Sequence, residues 1–114
     1  MSDFVIFHNP KCSKSRQTLQ LLRDKGVEPE IREYLVTPPS ESELSSVAKK
    51  LGLRPKDFIR KKEESFRQLD IDIEDDGALL SAIVAHPKIL ERPIVVRGDR
   101  AVLGRPPENI EDLF

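Results

Sequence analysis

The 114-residue chain has a single cysteine, Cys12, and two histidines, His8 and His86. One cysteine cannot close an internal disulfide, and an unpaired thiol fits a reducing compartment better than a secreted protein. Any oxidised form of Cys12 must therefore be reduced by a thiol from another molecule. One cysteine and two distant histidines also leave no ligand spacing for zinc. An excess of charge of either sign is missing as well. Nineteen Lys and Arg against twenty Asp and Glu give a net charge of −1, so no overall field attracts nucleic acid or an anionic membrane, and any basic patch is local. No apolar run approaches the roughly 20 residues that span a bilayer, and charges from Lys11 onward interrupt any signal-peptide core, which points to a cytoplasmic protein. There is no internal repeat, low-complexity tract, Walker-type phosphate loop or dinucleotide glycine fingerprint. The length suits one domain with one core, spanning residues 1–114.

What is present is organised around Phe4-Val5-Ile6-Phe7-His8-Asn9-Pro10-Lys11-Cys12-Ser13-Lys14-Ser15-Arg16. The β-branched and aromatic run reads as a short buried strand, His-Asn-Pro breaks it, and a helical pattern follows at once. Cys12 thus sits on a strand-to-helix turn. Unsatisfied backbone N–H groups and the positive end of the helix dipole stabilise an anion there. For a thiol of ordinary pKa about 8.5, such a place can lower it to roughly 3.5–7.5. Lys11, Lys14 and Arg16 flank the sulfur, and no acidic residue stands between His8 and Arg16. A free cysteine is more often an inert core residue, but polar and basic neighbours favour a reactive one here. The groups that hold a thiolate would also hold an oxyanion beside it.

Further along, Ser13 or Ser15 can cap a helix to about Lys25, with Leu19, Leu22 and Leu21 inward and Gly26 just past its end. Glu30 to Leu35 alternate as a second strand, so the first strand–helix–strand is a βαβ unit with parallel strands. Ser40 and Glu43 form a capping box for a helix ending at Gly52, and Pro55 opens a short helix carrying Phe58 and Ile59. Spacing alone makes Arg60, in Arg60-Lys61-Lys62, part of a solvated face. Asp75 or Asp76 caps a helix from about Gly77 to Ala85, and His86 at its end complements the dipole rather than acting as a catalyst. Arg92-Pro93-Ile94-Val95-Val96 and Ala101-Val102-Leu103 pair as a hairpin across Gly98-Asp99, so Arg97-Gly98-Asp99 is turn chemistry rather than an adhesion signal. A short amphipathic helix with Ile110 and Leu113 closes the chain. The expected fold is α/β and thioredoxin-like. A βαβ unit and a hairpin make a mixed four-stranded sheet, with a helical insertion at about 40–90.

Six segments together resemble the ArsC-type arsenate reductases that use glutathione and glutaredoxin, with the regulator Spx as a relative. They are His8 to Arg16, Tyr34-Leu35-Val36-Thr37-Pro38-Pro39, Phe58-Ile59-Arg60-Lys61-Lys62, His86-Pro87, Arg92-Pro93-Ile94-Val95-Val96 and Leu103-Gly104-Arg105-Pro106. They run in the family's order over nearly the whole chain, which ends at Phe114 as in the family's short branch. The resemblance implies that Cys12 is the nucleophile, that Arg60, Arg92 and Arg105 surround the oxyanion, and that His8 lowers the thiol pKa. It places Pro93 where thioredoxin folds commonly carry a cis proline. Without it, Arg92 reads as a charge beside a turn and Arg105 as a residue preceding a helix.

The mechanism so implied begins with arsenate held by the three arginines, which form planar paired bonds to oxyanions. The Cys12 thiolate displaces an oxygen, glutathione attacks, arsenite leaves, and glutaredoxin or another thiol frees Cys12. Glutathione is then a co-substrate, with no bound cofactor or metal, no nucleic-acid or membrane partner, and a monomeric chain. Two other readings stay open. An Spx-like regulator would bind RNA polymerase, but Ser15 stands where its second cysteine would be. A monothiol glutaredoxin-like protein would share the Cys12-Ser13-Lys14-Ser15 pattern. The phosphatase-like arsenate reductases need an arginine where Thr18 stands, and further cysteines. His8 can equally be a neutral residue that orients the loop.

Overall fold

In the computed structural model, which describes residues 3–114, four strands form one sheet in the order β2-β1-β3-β4. Strand β1 (Phe4–His8) is central and runs parallel to β2 (Glu30–Glu33), with helix α1 (Ser13–Asp24) between them in sequence. Strands β3 (Ile94–Arg97) and β4 (Arg100–Leu103) form the hairpin, and β3 lies antiparallel to β1. This is the thioredoxin-like sheet expected from the sequence. Between β2 and β3 come α2 (Glu41–Leu51), a 3-10 turn at Pro55–Asp57, the short α3 (Glu64–Arg67), α4 (Asp76–Ala85) and a 3-10 turn at Pro87–Ile89. The sheet alternation divides the core in two. Phe4, Ile6 and Val95 pack with Leu19 and Leu22 of α1 and with Ile110 and Leu113. Phe7, Ile94 and Val96 pack on the other face, with Leu44 and Val47 of α2 and Leu79 and Ile83 of α4.

The helix ends follow the capping chemistry in most places. Ser40 and Glu43 complete both halves of the capping box, and Gly52 ends α2 at φ 69°. Asp75 caps α4 by accepting from the Ala78 N–H. Four boundaries differ from expectation. Neither Ser13 nor Ser15 caps α1; the N-cap is Cys12 itself, in extended conformation and without a side-chain cap bond, because the turn spends Ser15 elsewhere. Strand β2 stops at Glu33, where Val36 and Thr37 N–H groups both turn back to the Glu33 carbonyl. The Pro55 turn ends before Phe58 and Ile59, and Ile59 instead bridges Leu90 in antiparallel fashion. The closing helix, Pro107–Leu113, is 3-10 rather than α. Among the described residues, no helix is long and apolar enough to cross a membrane.

Candidate active site

Sheet register brings the predicted residues to one end of the molecule. His8, the last residue of β1, pairs with Glu33, the last of β2. Phe7 pairs with Ile94, so Pro93 and Arg92 stand at the His8 end of β1. Ile94 in turn pairs with Leu103, and the Gly104 N–H donates to the Pro93 carbonyl at 2.8 Å, which sets Arg105 beside them. The Arg92–Pro93 and Arg105–Pro106 bonds are both cis. Arg60 arrives by a separate route. Around the Ile59–Leu90 bridge, the Arg60 N–H donates to the Ile89 carbonyl at 2.6 Å and the Glu91 N–H to the Phe58 carbonyl at 2.8 Å. Arg60 is thereby tied to the segment leading into Arg92.

The Cys12 turn is locked by its own polar groups. The Cys12 N–H donates to the Asn9 carbonyl at 3.0 Å, Asn9 Oδ1 accepts from the Lys11 N–H at 3.0 Å, and Arg16 Nη1 holds the Pro10 carbonyl at 3.0 Å. Buried Ser15 takes the Asn9 N–H on its Oγ at 3.1 Å and lies 2.6 Å from His8 Nδ1. The Cys12 thiol is half-buried. Burial pushes its pKa up, but the Ser15 and Lys14 backbone N–H groups at the start of α1, the charge of Arg92 and a hydrogen bond from its side chain outweigh that and leave it below the ordinary value. His8 is 6% exposed, and burial pulls its pKa below 6.5, assisted by Arg23 and Arg16 against the opposing pull of Glu33. The shift favours the neutral imidazole over the charged one. The contact of His8 is with Ser15, the residue whose N–H faces the sulfur, so His8 sits in the turn as a support.

The three arginines differ sharply in their surroundings. Arg92 reaches Cys12, and its Nε and Nη1 are buried with no hydrogen-bond partner. Buried donors of this kind cost free energy unless a group arrives to accept from them. Arg60 and Arg105 line an open groove of about 520 Å³ whose walls include neither Cys12 nor Arg92, and each is already engaged with a carboxylate: Arg60 Nη1 with Glu63 at 3.1 Å and Arg105 Nη1 with Glu91 at 3.0 Å. Among the described residues there is no cluster of three or more His, Cys, Asp or Glu side chains that could hold a metal ion.

A thiol of lowered pKa at a helix start, next to a guanidinium with idle buried donors, is a site for an anion and a nucleophile together. The sequence model of the ArsC family matches residues 7–113, which contain every one of these residues. The chain belongs to the ArsC family. Among proteins it resembles are the arsenate reductase of Neisseria meningitidis serogroup A, 47% identical and aligned over 97% of both chains, and that of Haemophilus influenzae, 46% identical over 96% of this chain and 97% of the other. In structure it is similar to an arsenate reductase from Vibrio cholerae, with a TM-score of 0.91, 44% identity and 97% of each chain covered.

Within this ArsC-family site the structure also draws in residues that the sequence reading left unassigned. Tyr34, one position past β2 and 1% exposed, lies within electrostatic reach of Arg92, Cys12 and Arg60 and close to the Asn9 side chain. Burial is the main reason its hydroxyl is pushed up to about 12, with the Cys12 charge adding to it and Arg92, Arg60 and the Asn9 side chain opposing. Gly104 packs so closely that a Cβ there would lie 2.7 Å from Pro93 Cγ and 2.8 Å from Thr18 Oγ1. Buried Thr18 donates to the Lys14 carbonyl at 2.8 Å and contacts the Gly104 carbonyl at 3.3 Å, joining α1 to the Arg105 segment. The advance signal for Tyr34 and Gly104 was their place inside the matching segments, Tyr34 heading one and Gly104 standing before Arg105, whereas Thr18 lies outside those segments.

Proposed function

We propose that the protein is a glutathione- and glutaredoxin-dependent arsenate reductase with Cys12 as nucleophile. The observation that carries this reading is Arg92, whose buried Nε and Nη1 lack partners while its guanidinium faces a thiol of lowered pKa. Arsenate, a tetrahedral oxyanion, supplies acceptors for those donors, and Arg60 and Arg105 reach it from the groove side. The Cys12 thiolate attacks arsenic, and an arsenate oxygen leaves as water after protonation, giving a sulfur–arsenic bond at As(V). A glutathione thiolate then attacks the Cys12 sulfur. As the disulfide forms, the sulfur–arsenic bonding pair passes to arsenic, which becomes As(III) and departs as arsenite. A glutaredoxin thiol attacks the mixed disulfide and returns Cys12 as thiolate. The chain has no second cysteine, so the reducing equivalents must come from outside it.

The chain's own contribution to these steps is electrostatic and positional. The α1 N–H groups and Arg92 keep the sulfur ionised, and the same groups neutralise the substrate charge that would otherwise repel it. His8 and Ser15 hold the turn that aims the N–H groups. An arsenite-release assay with glutathione and glutaredoxin supplied or withheld tests the reading. Arsenite should form only when thiol donors are present and should be lost in Cys12→Ser; turnover surviving that substitution would reject the mechanism.

A further inference from the structure

We propose that Glu63 and Glu91 are built-in competitors for the oxyanion, latching Arg60 and Arg105 until an incoming anion displaces them. The inference rests on the oxyanion-site reading above. Arg60 follows Ile59 at the bridge and meets Glu63 three residues on, while Glu91 follows Leu90 on the facing segment and precedes Arg92. Glu91 Oε1 is doubly engaged, accepting from Arg105 Nη1 at 3.0 Å and from the Arg92 backbone N–H at 3.3 Å. A carboxylate presents oxygen acceptors to a guanidinium much as an oxyanion does, so the two compete for the same donors.

The latch is loose by construction. The pairs Arg60–Glu63 and Arg105–Glu91 are each made through one guanidinium nitrogen, and their side chains are 25–41% exposed. Pairs of that kind exchange readily with solvent and ions. Arg92 has no such stand-in on its Nε and Nη1. An anion can therefore lodge first between Arg92 and the start of α1, and then draw Arg60 and Arg105 away from their carboxylates. Only an anion with several oxygens can serve Arg92 and replace both carboxylates, so Glu63 and Glu91 set the affinity and favour multi-oxygen anions over simple ones.

The test is protection of Cys12 from alkylation by inorganic phosphate and by arsenate, titrated on the intact protein. In E91Q the half-protecting concentration should fall roughly fivefold, since one exposed competing charge is removed, and in the E63Q/E91Q double variant it should fall further. E111Q removes a carboxylate of the separate Lys25 pair and should leave it unchanged. Thermal melting of each variant verifies folding. Protection in the wild type with an unchanged or higher half-protecting concentration in both E91Q and E63Q would overturn the latch while leaving the oxyanion site intact. No protection in the wild type or in any variant would overturn the oxyanion site and the latch with it.

Discussion

The two sides of the site are built in different ways. On one side, residues 8–16 make the Cys12 turn almost entirely from neighbours in the chain: Asn9 with Lys11 and Cys12, Pro10 with Arg16, and His8 with Ser15. On the other side, the arginine wall is gathered from residues 60, 92 and 105 by strand register, one isolated bridge and one close glycine contact. The first side carries its own geometry, whereas the second inherits it from the sheet. The thiol therefore depends on the wall through a single partner, Arg92, while Arg60 and Arg105 stand further out with carboxylates of their own.

The largest expected effect breaks the turn side. Cys12→Ser should reduce arsenite release to background, measured against the wild type at saturating thiol. Next comes the wall. Arg92→Ala should weaken oxyanion protection of Cys12 by about 10- to 100-fold, the size of a lost charged hydrogen bond, and by more than Arg60→Ala or Arg105→Ala, because each outer arginine must first give up a carboxylate before it can bond the anion. Equal losses from all three would contradict the distinction between one inner and two outer arginines.

The contact joining the two sides comes third. Gly104→Ala puts a methyl 2.7 Å from Pro93 and 2.8 Å from Thr18 Oγ1, and should cost about 1–3 kcal/mol in denaturant unfolding while raising the arsenate KM, since Arg105 follows directly. A neutral outcome in both measurements would show the wall to be more compliant than its packing indicates. A smaller effect involves His8. Its pKa is lowered in the folded protein, so the unfolded chain binds more protons just below pH 6.5, and stability should decline as pH falls through that value until the folded His8 is itself protonated. His8→Asn should flatten the melting temperature across this window; an identical slope in wild type and variant would remove His8 from the account of acid sensitivity.

The same division explains what could be read in the sequence. The turn side was legible because its interactions lie within reach of one another along the chain: a β-branched run, a proline break, basic residues and a helix start. The βαβ unit, the Ser40–Glu43 capping box, the Gly52 stop and the Gly98-Asp99 hairpin were legible for the same local reason, whereas the strand order rests on pairing between distant residues such as Phe7 and Ile94. Arg60, Arg92 and Arg105 carry no local mark of function, and only resemblance singled them out; their meeting depends on pairings between residues such as Ile59 and Leu90. Tyr34 was hidden because alternation placed it inside the expected Glu30–Leu35 strand, where a tyrosine reads as strand packing, and its approach to Asn9 crosses from the end of β2 to the turn. The Ser13 and Ser15 capping expectation failed because Ser15 is spent on His8 and Asn9, leaving Cys12 at the cap position.

The dependence of the Cys12 alkylation rate on pH, in the wild type and in Arg92→Ala, tests the central claim most directly. Burial alone would raise the thiol pKa, and the α1 N–H groups with Arg92 reverse that. The wild-type inflection should lie below that of an unperturbed cysteine, and removing Arg92 should move it upward. An inflection at the ordinary thiol value in both proteins would contradict the account.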